Sequence, residues 1–151
     1  MPQNKVLDAE YLIDLNGVEE ALSTQSNFIR DTFVDALADG RLRIVKRTSK
    51  ELKDCDDDLY SEYQQIGTKR YITPKVAEQS IQADLIVDHG GSLLGGFPPE
   101  DRFENIAICL SQGLKMVSAG KPLKDYRAIG KKCKLNGFTA MTLAEFAQEI
   151  G

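Results

Sequence analysis

The stretch YLIDLNGV, Tyr11 to Val18, sets an apolar run directly against Asp14 and then places Asn16 before Gly17. A short apolar run closed by Asp-x-Asn-Gly reads as a central strand that ends in a turn. In an open parallel sheet, ligands sit beyond the carboxyl ends of the strands, so Asp14 stands where a site forms. Asp14 and Asn16 also have a purely structural use, because both residue types cap helices and make turns. The chain has a single histidine, His89, inside the glycine-rich HGGSLLGGFPP. A Ser-His-Asp machine would need that one residue as its base, and His89 reads as a solvated loop residue. Carboxylates are therefore the expected agents of any chemistry.

Charge is unevenly spread. The net charge is −4, yet residues 111–137 carry Lys115, Lys121, Lys124, Arg127, Lys131, Lys132 and Lys134 against Asp125 alone. Such segregation makes either a phosphate-facing patch beside an acidic region or a solvated lysine-rich helix face. Cys55, Cys109 and Cys133 are far apart and odd in number, which suggests buried reduced thiols and no disulfide framework or CxxC zinc pattern. At 151 residues, a single domain over 1–151 is expected. The start MPQNKVLDAE is polar and lacks an apolar signal core, and no apolar run approaches a membrane span, so a cytoplasmic location is expected.

The elements that would position these groups alternate. SNFIRDTFVDALADG carries Ile29, Phe33 and Leu37 at i, i+4 and i+8, with Gly40 placed to end a helix. RLRIVKR reads as the second strand, and in the helix TSKELKD after it Thr48 and Glu51 have capping-box spacing. TPKVAEQSIQADLIVD reads as a helix with Pro74 at its first position, and HGGSLLGGFPP as a lid or connecting loop. EDRFENIAICLSQG is a helix, LKMVS a strand, and KDYRAIGKKCKLNG a helix ended by Asn136 and Gly137. FTAM is the last strand, followed by TLAEFAQEI with a second capping box at Thr142 and Glu145. Strands separated by helices imply crossovers and a parallel sheet covered on both faces.

In this order the sequence resembles the PIN-domain (PIN-like) ribonucleases. YLIDLNGV is similar to the family's opening strand with its first metal-binding aspartate, Asn16 standing where a small polar residue is usual. LRIVKRTSKEL resembles the second strand and the helix-borne glutamate, here Glu51. EDRFENIAICLSQGLKMVSAGK resembles the third acidic motif, in which Asp101 opens a helix that leads through Gly113 into a strand ending in Ser118. Glu104 lies one turn from Asp101 and could supplement it. The family's Thr-x-Asp becomes Ser118-Ala119-Gly120, so Gly120 replaces the fourth acid.

The resemblance implies a three-layer α/β/α fold with a central, mainly parallel sheet of about four to five strands. It also implies a divalent-metal-dependent endoribonuclease, in which Asp14, Glu51 and Asp101 hold Mg²⁺ or Mn²⁺. Clustered carboxylates repel one another until a hard cation neutralises them, and that cation lowers the pKa of a water for attack on phosphorus. Single-stranded RNA would be the substrate, with Lys121, Lys124 and Arg127 on its phosphates. Many small PIN nucleases are toxins, so an antitoxin is an implied partner, and a homodimer is compatible. Two other classes stay open. One is a PIN-like module that binds RNA or protein without cutting, as the missing acid at Gly120 suggests. The other is a haloacid-dehalogenase-type phosphatase, whose nucleophile turn DLNGV also resembles, with Asp14 as nucleophile.

Overall fold

Tyr11, Leu12 and Ile13 are all buried, as a strand covered on both faces requires. The computed structural model describes residues 8–55, 57–65, 71–72, 81, 100–132, 134–135 and 137–150. Strand β1 (Tyr11–Ile13) is the middle of a five-stranded sheet with β2 (Leu42–Val45), β3 (Tyr71–Ile72), β4 (Lys115–Val117) and β5 (Ala140–Met141). The order is β3-β2-β1-β4-β5, and every pair is parallel. Tyr11 faces Leu42 on one side and Lys115 on the other, which sets β1 and β4 so that Ile13 meets Val117 at their carboxyl ends.

Side chains alternate across this sheet and build two cores. Tyr11, Ile13, Leu42, Ile44, Val117 and Met141 pack with helices α1 (Leu15–Ser23), α2 (Asn27–Asp39), α3 (Lys46–Cys55), α4 (Asp57–Gln65) and α7 (Leu143–Ile150). Leu12, Val45, Ile72 and Met116 face the other way, onto α5 (Glu100–Gln112) and α6 (Gly120–Lys132). This is the expected three-layer α/β/α arrangement, with helices on both faces.

Local chemistry accounts for most element boundaries. Ser26 caps α2 by accepting the Ile29 N–H, and Gly40 ends it in the left-handed region at φ 91°. Phe33 and Leu37 are fully buried and Ile29 packs against them, so the stripe read from the sequence is the core face. Thr142 and Glu145 exchange the two hydrogen bonds of a capping box, 2.9 and 3.1 Å, at the start of α7. Cys109 is buried, as a reduced core thiol should be.

Three expectations are corrected, and one strand went unread. Asn16 and Gly17 do not make a turn, because α1 starts at Leu15 with Asp14 as its N-cap. Thr48 and Glu51 do not form a capping box, since α3 begins at Lys46 directly after β2 and both residues lie inside it. The helix expected from Lys124 starts earlier, at Gly120, and ends at Lys132, with Lys134 at φ 54° beyond it. Strand β3 was hidden, because two residues carry no readable period. The helix expected over TPKVAEQSIQADLIVD, apart from helical Ile81, and the loop His89 to Pro99 lie outside the described residues.

Gly17 sits where α1 crosses the end of the sheet. A Cβ there would lie 2.6 Å from Ile13 Cγ1 and 3.2 Å from the Val117 carbonyl oxygen. Gly17→Ala is therefore expected to push α1 off β1 and β4 and to lower stability by about 1–3 kcal/mol. A denaturant titration checks this, and an unchanged midpoint would show that the helix shifts freely.

Candidate functional site

The sheet reverses direction of growth at β1, where β2 departs on one side and β4 on the other. The carboxyl ends of β1 and β4 therefore flank the crevice where open α/β sheets take ligands. Asp14 follows β1 and Ser118 follows β4, so two polar side chains from distant sequence meet at this point. Asp14 is only 6% exposed. Its Oδ1 accepts the Gly17 N–H at 2.9 Å, and its Oδ2 accepts the Ser118 hydroxyl at 2.7 Å.

A second layer of contacts reaches the same carboxylate. The Tyr126 hydroxyl donates to Asp14 and accepts from Asn105 Nδ2 at 2.7 Å. Asn105 and Tyr126 are themselves buried, so the chain Asn105, Tyr126, Asp14 leaves the carboxylate little rotational freedom. Arg102, on α5, lays its guanidinium carbon 5.8 Å from the Tyr126 ring centroid and brings its Nε within 3.2 Å of Asp125 Oδ2. Lys121 Nζ reaches the two oxygens of Asp125 at 3.1 and 3.2 Å. Burial pushes the Asp14 carboxyl above the ordinary carboxylate range, against the pull of Ser118, the Gly17 N–H, the Arg102 charge and Tyr126.

The other expected site residues stand as follows. Glu51 is half-buried in the second turn of α3, which packs against α1, the helix that Asp14 caps. Asp101 lies in the first turn of α5, with its side chain outside the described residues. Glu104 is half-buried on that helix, and Asn16 is exposed in the first turn of α1. Lys121, Lys124 and Arg127 are exposed along α6, with Lys121 on Asp125 and Arg127 Nη2 2.8 Å from Glu145. Gly120 opens α6 at φ 63°, and nothing lies within 4 Å of where its Cβ would be. A cavity of about 260 Å³ adjoins the corner, lined in part by Glu20, Ile29, Ser118, Gly120, Leu123 and Leu143.

Sequence reasoning missed Arg102, Asn105, Asp125 and Tyr126. One signal was available: Asn105 and Tyr126 each interrupt the apolar rows of their helices, and a polar group at a core position needs a partner. The resemblance to PIN-domain ribonucleases implies a divalent metal, and a buried carboxylate at the crevice is chemistry that a hard cation accepts. Among the described residues, however, no group of three or more His, Cys, Asp or Glu side chains is placed to hold an ion. The side chain of Asp101, the third expected ligand, lies outside the described residues.

No protein-family model matches the chain, and no curated protein matches it in sequence. Among solved structures it is similar to DNA-bound VapBC from Salmonella typhimurium, with a TM-score of 0.63 and 14% identity, over 89% of this chain and 98% of that one. It is also similar to PAE2754 from Pyrobaculum aerophilum, with a TM-score of 0.59 and 11% identity, over 94% and 95% of the two chains. Identities this low speak for the fold, and the fold is PIN-like.

Proposed function

We propose that the chain is a PIN-like endoribonuclease for single-stranded RNA, the toxin of a toxin-antitoxin pair, acting in the cytoplasm. The observation that carries this reading is Asp14, a buried carboxylate at the topological switch point whose oxygens are oriented by Ser118 and the Gly17 N–H. Asp14, Glu51 and Asp101 would hold Mg²⁺ or Mn²⁺, with Glu104 as a supplementary acid. When bound, that ion supplies an activated water and offsets phosphate charge. The chain's own part is orientation: Ser118 and Tyr126 hold Asp14, while Lys121, Lys124 and Arg127, exposed along α6, would receive phosphates. The likeness to a DNA-bound VapBC structure supports nucleic acid and an antitoxin as partners.

A second reading, a PIN-like module that binds RNA without cutting it, is favoured by Gly120 in place of an acid and by the Arg102 charge near Asp14. Incubation of single-stranded RNA with the protein and Mn²⁺ over a salt series separates the two. The nuclease reading expects metal-dependent cleavage, and log affinity that falls with log salt, with a slope reduced by about 0.7 for each true contact removed, as in Lys124→Ala. Salt-dependent binding without cleavage would establish the second reading. Salt-independent binding would remove both.

A further inference from the structure

We propose that single-stranded RNA leaves the crevice along the outer face of α6, on a track that Lys131 and Lys134 extend well beyond the candidate site. This path rests on the reading of the chain as a protein that binds RNA, and it adds the direction in which the strand runs. α6 starts at Gly120, just past the carboxyl end of β4, and because β4 and β5 are parallel the helix between them must run back over the sheet. Its exposed row is Lys121, Lys124, Arg127 and Lys131, at spacings of three, three and four that keep the four side chains on one side of a helix. From Lys121 to Lys131 the row covers about 15 Å at 1.5 Å per residue, and exposed Lys134 follows where the backbone turns left-handed at φ 54°. Asp125, the acid of this helix, is buried against Arg102 and Lys121 and takes no part in the outer row.

A row of lysines on a helix is often no more than a solvated face. Two observations set this one apart. Among the described residues, no hydrogen bond or ion pair engages the side chains of Lys124, Lys131 or Lys134, whereas Lys121 is held by Asp125 and Arg127 by Glu145. The layer on the other side of the sheet has the opposite charge: Glu20, Asp31, Asp35, Asp54, Asp58 and Glu62 are exposed on α1 to α4, where the exposed bases are Arg30, Lys50 and Lys53. The crevice thus opens at the edge where an acidic layer meets a basic one. A polyanion held there is repelled by the first and drawn over the second, because potentials from several like charges add. Phosphates bind through the release of counterions, which needs free cations at intervals and no enclosed pocket. At about 3.4 Å per nucleotide of a stacked strand, the row from Lys121 to Lys131 accommodates roughly four nucleotides.

Fluorescence anisotropy of a labelled twelve-nucleotide oligouridylate over a salt series tests the path, with the full chain in EDTA so that no cleavage intervenes. The double variant Lys131→Gln with Lys134→Gln, both exposed, is expected to bind about tenfold or more weakly at low salt and to lose about 1.4 from the log–log slope, two contacts at 0.7 each. Glu145→Gln keeps an oxygen for the Thr142 N–H and releases Arg127, so it is expected to tighten binding. Asp31→Asn with Asp35→Asn should change affinity less than Glu145→Gln does. A larger gain from that pair would send the strand over α2 and overturn the path. An unchanged slope in the Lys131 and Lys134 variant, with RNA still bound, would overturn the track and leave RNA binding standing. No RNA binding by the wild type at low salt would overturn both. Loss of binding to phosphatidylserine vesicles without loss of RNA would assign the face to an anionic membrane and overturn the track.

Discussion

Asp14→Asn is expected to abolish Mn²⁺-dependent cleavage of single-stranded RNA, by about 10²-fold or more, and in the same protein to raise the unfolding midpoint. The two effects have one cause. Asparagine keeps an oxygen for the Gly17 N–H and turns its amide to the Ser118 hydroxyl, which can accept as well as donate. What it removes is a charge held away from water, and with it the negative ligand. Because burial raises the Asp14 pKa above the ordinary 3.8, the folded state binds more protons than the unfolded state between that value and the raised one. Stability then falls as pH rises through this window: the penalty is absent below 3.8 and complete above the raised pKa. The asparagine variant should lack this fall and melt at a higher temperature than the wild type at neutral pH. A lower midpoint would mean that the hydrogen bonds to the ionised carboxylate outweigh its desolvation. Trapping a phosphorylated Asp14 in the wild type would instead make it a phosphatase nucleophile.

Tyr126→Phe is expected to cost about 1–3 kcal/mol although it removes a single oxygen. Tyr126 is fully buried, and its hydroxyl serves Asn105 on one side and Asp14 on the other. Its loss strands the Asn105 amide, 5% exposed, without the acceptor at 2.7 Å. Replacing both partners should be less damaging than the sum, so Tyr126→Phe with Asn105→Leu is expected to show a coupling of about 1 kcal/mol in a double-mutant cycle measured by denaturant unfolding. Strict additivity would show that the two side chains touch without supporting one another.

The sequence showed the helices that carry their own punctuation. Ser26 and Gly40 bound α2, and Thr142 with Glu145 opens α7, because capping chemistry is local and lies within four residues. The alternation of strands and helices was enough for the parallel, doubly covered sheet. Local rules failed where the chain leaves a strand and enters a helix without a loop. Lys46 does this after β2 and places Thr48 inside α3, while Asp14 does it after β1 and turns Asn16 and Gly17 into helix residues. Of the candidate site, Asp14 and Ser118 were readable as strand ends. That they touch follows from the register of β1 on β4, which no spacing in the sequence encodes. The Asn105 and Tyr126 bond and the Arg102 and Asp125 pair depend on how α5 lies against α6, which is decided by packing over the whole sheet face.

The pairing of Asp14 with Ser118 spans 104 positions, and this bears on when the corner can exist during protein synthesis. Asp14 leaves the ribosome well ahead of Ser118 and Tyr126, whose hydroxyls orient it. Central β1 can meet β2 while translation continues, but its other edge stays open until β4 arrives. Contacts this far apart in sequence form late, because the entropy of closing so long a loop must be lost before any of them is gained. Whatever chemistry the corner performs therefore waits until α6 has been made and has folded onto the sheet.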